Sequence, residues 1–140
     1  MSLSPDACRS PDLFVGADAF LVPEALRPML PTLVSKSLDG ETATLQLQLR
    51  LDPELVWFAG HFPGAPLLPG VAQLHLAIGY ACEQWAIEER FSGLEMLKFQ
   101  RPLQPGVEVT LQLSWQAESR KLQFCYQLDG EAASSGRVKL

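Results

Sequence analysis

Two histidines with different surroundings are the first candidates for chemistry in this chain. His61 and His75 lie fourteen residues apart and are its only histidines. An imidazole exchanges protons near neutral pH, so each can act as an acid or a base. His61 lies in GHFPGAPLLPG (60–70), where prolines fix φ and glycines allow close backbone approach. The segment predicts a rigid connector that holds His61 beside a substrate, or simply a tight strand-to-helix connection with an ordinary loop histidine.

The same segment leads directly into a predicted helix that begins near Pro69. The first N–H groups of a helix have no partner within it and carry the positive end of its dipole. They can polarise a thioester or amide carbonyl as an oxyanion hole does. Gly70 has no side chain, which lets such a carbonyl approach the backbone. We therefore predict a carbonyl-binding site at Gly70.

The composition is that of a globular protein with a sizeable core. The 140 residues are 47% hydrophobic and 19% charged, which fits one domain. The net charge of −5 argues against a nucleic-acid surface, so no nucleic acid is expected as a partner. No apolar run reaches the roughly 18–20 residues of a membrane span, and no signal peptide is recognisable. We expect a cytoplasmic protein without a membrane span.

Metal and disulfide chemistry find little support in the sequence. Cys8, Cys82 and Cys125 are far apart, odd in number and without a CxxC pair. This pattern predicts neither a disulfide framework nor a zinc site. Two histidines without a third ligand do not form a metal site either. No metal and no cofactor are expected.

The hydrophobic pattern divides the chain into a leader and one domain. Residues 1–22 show no sustained period and are interpreted as a loosely ordered leader, and residues 23–140 as a single domain. Alternating apolar residues predict a half-buried antiparallel hairpin that turns at Asp39-Gly40. Further strands are predicted over 94–101, 107–116, 122–128 and 132–139. Short turns between them make adjacent strands antiparallel.

One long helix is predicted between these groups of strands. From Pro69 to about Arg90 the hydrophobic period changes from two to 3.6. Apolar residues cover much of its circumference, as expected of a helix packed against a sheet: Val71, Ala72, Leu74, Leu76, Ala77 and Ile78. The predicted fold class is therefore α+β, with a curved antiparallel sheet packed on one long helix.

Two segments carry a family resemblance. GHFPGAPLLPGVAQL resembles the active-site signature of hotdog-fold 3-hydroxyacyl-ACP dehydratases of the FabZ and FabA type, and LKFQRPLQPGVEVTLQL resembles their second strand motif. The resemblance covers roughly residues 31–140, and the closing SSGRVKL is more similar to the ApeI-like branch, which is associated with aryl polyene pathways. It implies a hotdog fold, a curved sheet wrapped around one long central helix. It also implies a homodimer or higher homo-oligomer with active sites at the subunit interface.

The resemblance also implies an activity and its residues. The family removes water from a (3R)-hydroxyacyl thioester on acyl carrier protein and gives a trans-2-enoyl thioester. By the motif match, His61 is the base at C2, and the Gly70 N–H binds the thioester carbonyl. Phe62, Pro69 and Val71 are placed with Gly70 among the substrate-binding residues.

His75 is where this chain departs from the family, which has an Asp or Glu at that place. The helix offers no nearby substitute, because Glu83 is eight residues on, about 12 Å along the axis. His75 could protonate the leaving hydroxyl as an imidazolium, hydrogen-bond that hydroxyl, or pack in the core of a protein that no longer dehydrates. The alternatives to a dehydratase are a non-catalytic hotdog subunit that binds acyl-ACP or an active partner, and a hotdog acyl thioesterase.

The remaining side chains are assigned to the core or the surface. Ser134-Ser135-Gly136 lacks a GxSxG elbow and is interpreted as a strand end. The aromatic residues are interpreted as core or interface residues: Trp57, Phe58, Phe62, Trp85, Phe99, Trp115, Phe124 and Tyr126. The basic residues are either solvated or form a patch for an acidic carrier protein: Arg90, Lys98, Arg101, Arg120, Lys121, Arg137 and Lys139.

Overall fold

A computed structural model describes residues 29–58, 66–88 and 91–140. The strands are β1 (Thr32–Asp39), β2 (Thr44–Arg50), β3 (Gly93–Phe99), β4 (Glu108–Gln116), β5 (Lys121–Leu128) and β6 (Glu131–Lys139). A 3-10 turn covers Val56–Phe58, and the long helix α1 covers Gly70–Trp85. The predicted strands and helix are confirmed. The predicted leader (1–22), His61 and Phe62 lie outside the described residues.

The strands form one antiparallel sheet in the order β1-β2-β4-β5-β6-β3. Chain order is broken once, because the strand that follows α1 pairs with β6 at the far edge. Strands β1 and β3 are therefore the two edges of this sheet. The face that covers the helix carries the alternating apolar residues of the central strands: Leu45, Leu47, Leu49, Val109, Leu111, Leu113, Leu122, Phe124 and Tyr126.

Helix α1 buries small residues against that face. Ala72, Ala77 and Ala81 are fully enclosed, and Leu76 lies among them. Small side chains let the helix axis approach the sheet, and each enclosed Leu contributes roughly 1.5–3 kcal/mol through the hydrophobic effect. The alternation along the strands and the 3.6-residue period of the helix thus meet in one core.

Helix α1 ends earlier than its hydrophobic pattern predicts. The prediction extended it to about Arg90, but the helix stops at Trp85 and Ala86 adopts a left-handed conformation with φ 50°. The next N–H, that of Ile87, donates to the Cys82 carbonyl at 3.2 Å. Ile87 is buried, so the pattern continues through it because its side chain packs in the core, not because the helix continues.

Two further expectations need correction. Strand β2 alternates between buried and more exposed residues, as expected of a half-buried hairpin, but every residue of β1 is exposed. Ser134-Ser135-Gly136 is the centre of β6 rather than a strand end, and Ser134 is fully buried. In the described part of the chain, no helix has the length and apolar character needed to cross a membrane.

Candidate functional site

The start of α1 is held by backbone contacts. Pro69 precedes the helix in an extended conformation, and its carbonyl accepts the N–H groups of Ala72 and Gln73, each at 3.0 Å. Within the part of the chain that the structure describes, no side chain caps this end. Among the described residues, nothing accepts a hydrogen bond from the N–H of Gly70 or Val71. The positive end of the helix thus offers two donors, the arrangement that a carbonyl oxygen requires.

Gly70 is enclosed on one side by an aromatic ring. A methyl group on Gly70 would lie 2.7 Å from Cζ of Phe99, closer than carbon atoms approach one another. Phe99 ends edge strand β3, and half of its surface remains exposed (51%). A side chain at this position would therefore displace the ring of Phe99, an aromatic whose pattern predicted only a core or interface role.

Val71 extends an apolar surface from the helix start. Its side chain is 72% exposed, although it follows the buried Leu68 closely in the chain. Residues four apart lie on one helix face, so Val71 is a neighbour of His75. The described residues therefore leave Val71, at the N-terminal end of this face of α1, largely uncovered.

His75 lies half-buried against an aromatic partner. Its ring centroid is 5.6 Å from that of Trp57, with the two planes inclined by 55°. The Trp57 indole is itself fixed, because Nε1 donates to the Met29 carbonyl at 2.9 Å. His75 is therefore not enclosed in the core, and the ring beside it is anchored.

Gly70 and His75 lie in the first two turns of the same helix. Five residues separate them, about 7.5 Å along a helix axis. Side chains lean toward the N-terminus of a helix, which brings the His75 imidazole nearer to the free N–H groups. Because His61 lies outside the described residues, its predicted place opposite His75 stays a prediction.

Other reactive side chains do not add to this site. Within 29–58, 66–88 and 91–140, no three His, Cys, Asp or Glu residues come together as metal ligands do. Cys82 is buried, and burial raises the pKa of the half-buried Cys125 thiol, which keeps it protonated at neutral pH. Burial, with a contribution from Glu83, raises the pKa of Tyr80 as well. Burial thus disfavours the thiolate of Cys125 and the phenolate of Tyr80.

The residue patterns missed three contributors to this region. Trp57 and Phe99 were predicted only as core or interface aromatics, and Gln73 received no role. A signal for Gln73 existed, since it is a polar residue between Ala72 and Leu74 on an otherwise apolar part of the helix. It is only 3% exposed.

Comparison with known proteins places these features in a family. The ApeI-like family model, described as ApeI dehydratase, matches residues 36–137. The 3-hydroxyacyl-[acyl-carrier-protein] dehydratase FabZ of Acetivibrio thermocellus is 32% identical over 93 residues, which cover 59% of this chain and 64% of that protein. FabZ of Erythrobacter litoralis is 33% identical over 90 residues, 57% of each chain. The chain thus spans less than two thirds of the length of either relative.

Solved structures show the same relationship. A chain of the dehydratase heterocomplex ApeI:P from Xenorhabdus doucetiae is 43% identical, with a TM-score of 0.74 over 79% of this chain and 97% of that one. An uncharacterised protein from Erwinia carotovora subsp. atroseptica is 42% identical, with a TM-score of 0.70 over 79% and 95% of the two chains. The predicted hotdog fold is confirmed. The chain belongs to the ApeI-like dehydratase family, within the FabZ-like hotdog dehydratases.

Proposed function

We propose that the chain is a (3R)-3-hydroxyacyl-ACP dehydratase of fatty-acid or aryl-polyene-type biosynthesis, acting in the cytoplasm. The observation that carries the proposal is the pair of free N–H groups at Gly70 and Val71 beside His75. Family membership supports the reaction class. We also propose that residues 23–140 form one hotdog domain after a leader of residues 1–22.

The proposed reaction divides its steps among three groups. The thioester carbonyl accepts a hydrogen bond from the Gly70 N–H, which stabilises negative charge as it develops on the oxygen. His61 removes the proton from C2, and the electron pair forms the C2–C3 double bond. The hydroxyl leaves C3 with a proton from His75 as imidazolium, so the products are water and a trans-2-enoyl thioester. Phe62, Pro69 and Val71 contact the acyl group.

The environment of His75 supports its role as the proton donor. His75 is half-buried, so part of its ring is accessible to a ligand. The anchored Trp57 ring restricts its orientation from one side. A proton donor that is both accessible and oriented fits the place where the family has a carboxylic acid.

We propose that the active assembly is a homodimer formed through edge strand β3. Unpaired backbone groups of an edge strand invite pairing with another chain. Apolar side chains surround this edge and are exposed in the single chain: Val71, Leu94, Met96, Leu97 and Phe99. A second copy seated here covers Phe99 and Val71, and so excludes water from the site at Gly70.

A second candidate is a subunit that pairs with a different chain. The similar ApeI:P structure is named a dehydratase heterocomplex, which favours this candidate. The same β3 surface then contacts the other chain. The molecular mass of the pure protein in solution separates the two, since a homodimer has twice the mass of the chain.

An acidic carrier protein fits the outward face of the sheet. The register places Lys121 opposite Lys139 and Gln123 opposite Arg137, with Lys98 on the same face. Glu95 contacts two of these cations, at 3.4 Å from Lys121 and 3.5 Å from Arg137. This local positive charge stands out in a chain of net charge −5. Such a patch steers an anionic protein toward the enzyme.

A groove on the same face supports this assignment. It has a volume of about 450 Å³ and is lined by Lys98, Arg137, neutral polar residues such as Gln112 and Ser114, and the apolar side chains of Met96 and Phe124. Hydrogen-bonding side chains with two cations suit a polar, anionic surface. If the carrier protein docks here, raising the ionic strength increases KM for the carrier-bound substrate but not for a pantetheine thioester.

One assay tests the activity and separates the alternatives. The pure protein is incubated with 3-hydroxyacyl and trans-2-enoyl thioesters while enoyl absorbance and free thiol are followed. Reversible hydration that is lost in His61→Ala supports the proposal. Thiol release indicates a thioesterase, and no reaction in either direction indicates a non-catalytic subunit. His75→Glu restores the family acid, and a gain in rate would show that the imidazole limits proton donation.

A further inference from the structure

A buried polar chain connects the sheet, the helix and the segment before the helix. Gln73 lies at its centre: its side-chain Nε2 donates to the Leu68 carbonyl at 3.0 Å. Its Oε1 accepts the Ser134 hydroxyl at 2.5 Å, and its backbone carbonyl accepts the Tyr126 hydroxyl at 2.6 Å. Gln73, Ser134 and Tyr126 are all buried. All three hydrogen bonds around Gln73 therefore form away from water.

These contacts fix Leu68 from several directions. Its N–H donates to the Leu103 carbonyl at 2.8 Å, its carbonyl accepts from Gln73, and its side chain is buried. Pro69 follows at once, and Gly70 is the first residue of α1. The position of Leu68 thus sets the position of the two free N–H groups.

We propose that Gln73 is a positioning residue, which holds the start of α1 so that the Gly70 and Val71 N–H groups meet the thioester oxygen. The inference rests on the proposed function, because it concerns the residue that orients the N–H groups proposed to bind the thioester carbonyl. An oxyanion site works because its donors are already oriented before charge develops. The Gln73 amide does this through Leu68 and has no contact with substrate.

Burying an amide in an apolar core costs desolvation free energy, and good packing does not require an amide. An apolar side chain of similar size at position 73 would fill the same space without requiring polar partners from the loop and the sheet. The amide instead specifies one position for the Leu68 carbonyl relative to β6. A fully bonded buried network of this kind fixes geometry more than it adds stability.

The test compares variants that remove different buried hydrogen bonds of the same helix residue. Gln73→Met keeps the length of the side chain and removes the bonds to Leu68 and Ser134. Tyr126→Phe removes the bond to the Gln73 carbonyl and leaves Leu68 held, so it is the matched control. Gln73→Asn is the second test variant: it keeps an amide in the core but is one methylene too short to reach Leu68. All are assayed well below their melting temperatures.

Two readouts are taken. Hydrogen exchange of the Leu68 and Ala72 amides reports the start of α1 without any substrate. In Gln73→Met and Gln73→Asn these amides are expected to exchange about tenfold faster, which corresponds to the loss of the one hydrogen bond that holds the Leu68 carbonyl. Hydration of a trans-2-enoyl thioester is expected to lose about tenfold to hundredfold in kcat with KM nearly unchanged. Tyr126→Phe lowers the melting temperature and leaves both readouts as in the wild type.

Unchanged exchange at Leu68 and Ala72 in the Gln73 variants overturns the inference, whatever their activity. So does Tyr126→Phe if it lowers kcat and speeds exchange as much as Gln73→Met, because the effect would then be general loosening. If the wild type turns over no thioester but the exchange differs as expected, the proposed function is wrong and the positioning of the helix start by Gln73 stands.

Discussion

The two ends of α1 are finished in opposite ways. At the C-terminal end Ala86 turns left-handed, the Ile87 N–H returns to the Cys82 carbonyl, and the Ile87 side chain is buried. At the N-terminal end the described residues provide neither a side-chain cap for the helix nor an acceptor for the Gly70 N–H. The closed end is fixed by apolar packing and the open end by buried hydrogen bonds. A helix end that is held firmly while its donors stay free is prepared for a ligand.

The largest expected effect is a loss of activity when a side chain is added at the N-terminal end of α1. In Gly70→Ala the new methyl group meets the Phe99 ring and takes space that a carbonyl needs. We expect kcat/KM to fall about hundredfold. Because Phe99 is half exposed and its ring can move, the free energy of unfolding should fall by only about 1 kcal/mol.

Gly93→Ala is the matched control for this change. Gly93 starts β3, has no positive φ and has open space where a methyl group would lie. Both activity and stability should stay near those of the wild type. Full activity in Gly70→Ala, measured beside this control, would show that the carbonyl binds elsewhere.

A substitution at the C-terminal end of α1 should change the stability of the protein and not its activity. Ile87→Ala leaves a cavity where the buried side chain packs, and we expect the free energy of unfolding to fall by about 2–4 kcal/mol. Since this end has no ligand role in our account, kcat of the folded protein should be unchanged. Denaturant unfolding and enoyl hydration are measured on the same sample. A hundredfold loss of kcat here would remove the distinction between the two ends.

The smallest expected effect is a gain in stability at the same end. Ala86 has φ 50°, a conformation that glycine adopts without strain. Ala86→Gly should therefore raise the free energy of unfolding by up to about 1 kcal/mol, with no change in activity. A clear loss of stability would mean that the Ala86 methyl group contributes packing that outweighs its backbone strain.

The sequence predicted the buried core better than it predicted the contacts around the start of α1. Alternation in β4 and β5 and the 3.6-residue period of α1 reflect burial, so they revealed the core and the order of elements. The end of α1 was predicted too late because Ile87 keeps the apolar period while the backbone turns. A buried residue just after a helix therefore extends the apolar period, although the backbone is no longer helical there.

Residues that act across the fold were harder to predict. The approach of Phe99 to Gly70 depends on β3 lying at the edge beside β6, a pairing between strands distant in sequence. Gln73 meets Ser134 and Tyr126 only after the helix is seated on the sheet. His75 was found because a motif marks its place, whereas its contact with Trp57 needed the structure.

The central claim is that a thioester carbonyl binds at the free N–H groups of Gly70 and Val71. The most direct measurement is the infrared stretch of a saturated acyl thioester labelled with ¹³C at its carbonyl carbon, in buffer and bound to the protein. Oriented helix donors polarise the carbonyl more than water does, so we expect the stretch to move to lower wavenumber on binding, and to move less in Gln73→Met. A bound carbonyl whose stretch equals that in buffer, or lies above it, would contradict the account.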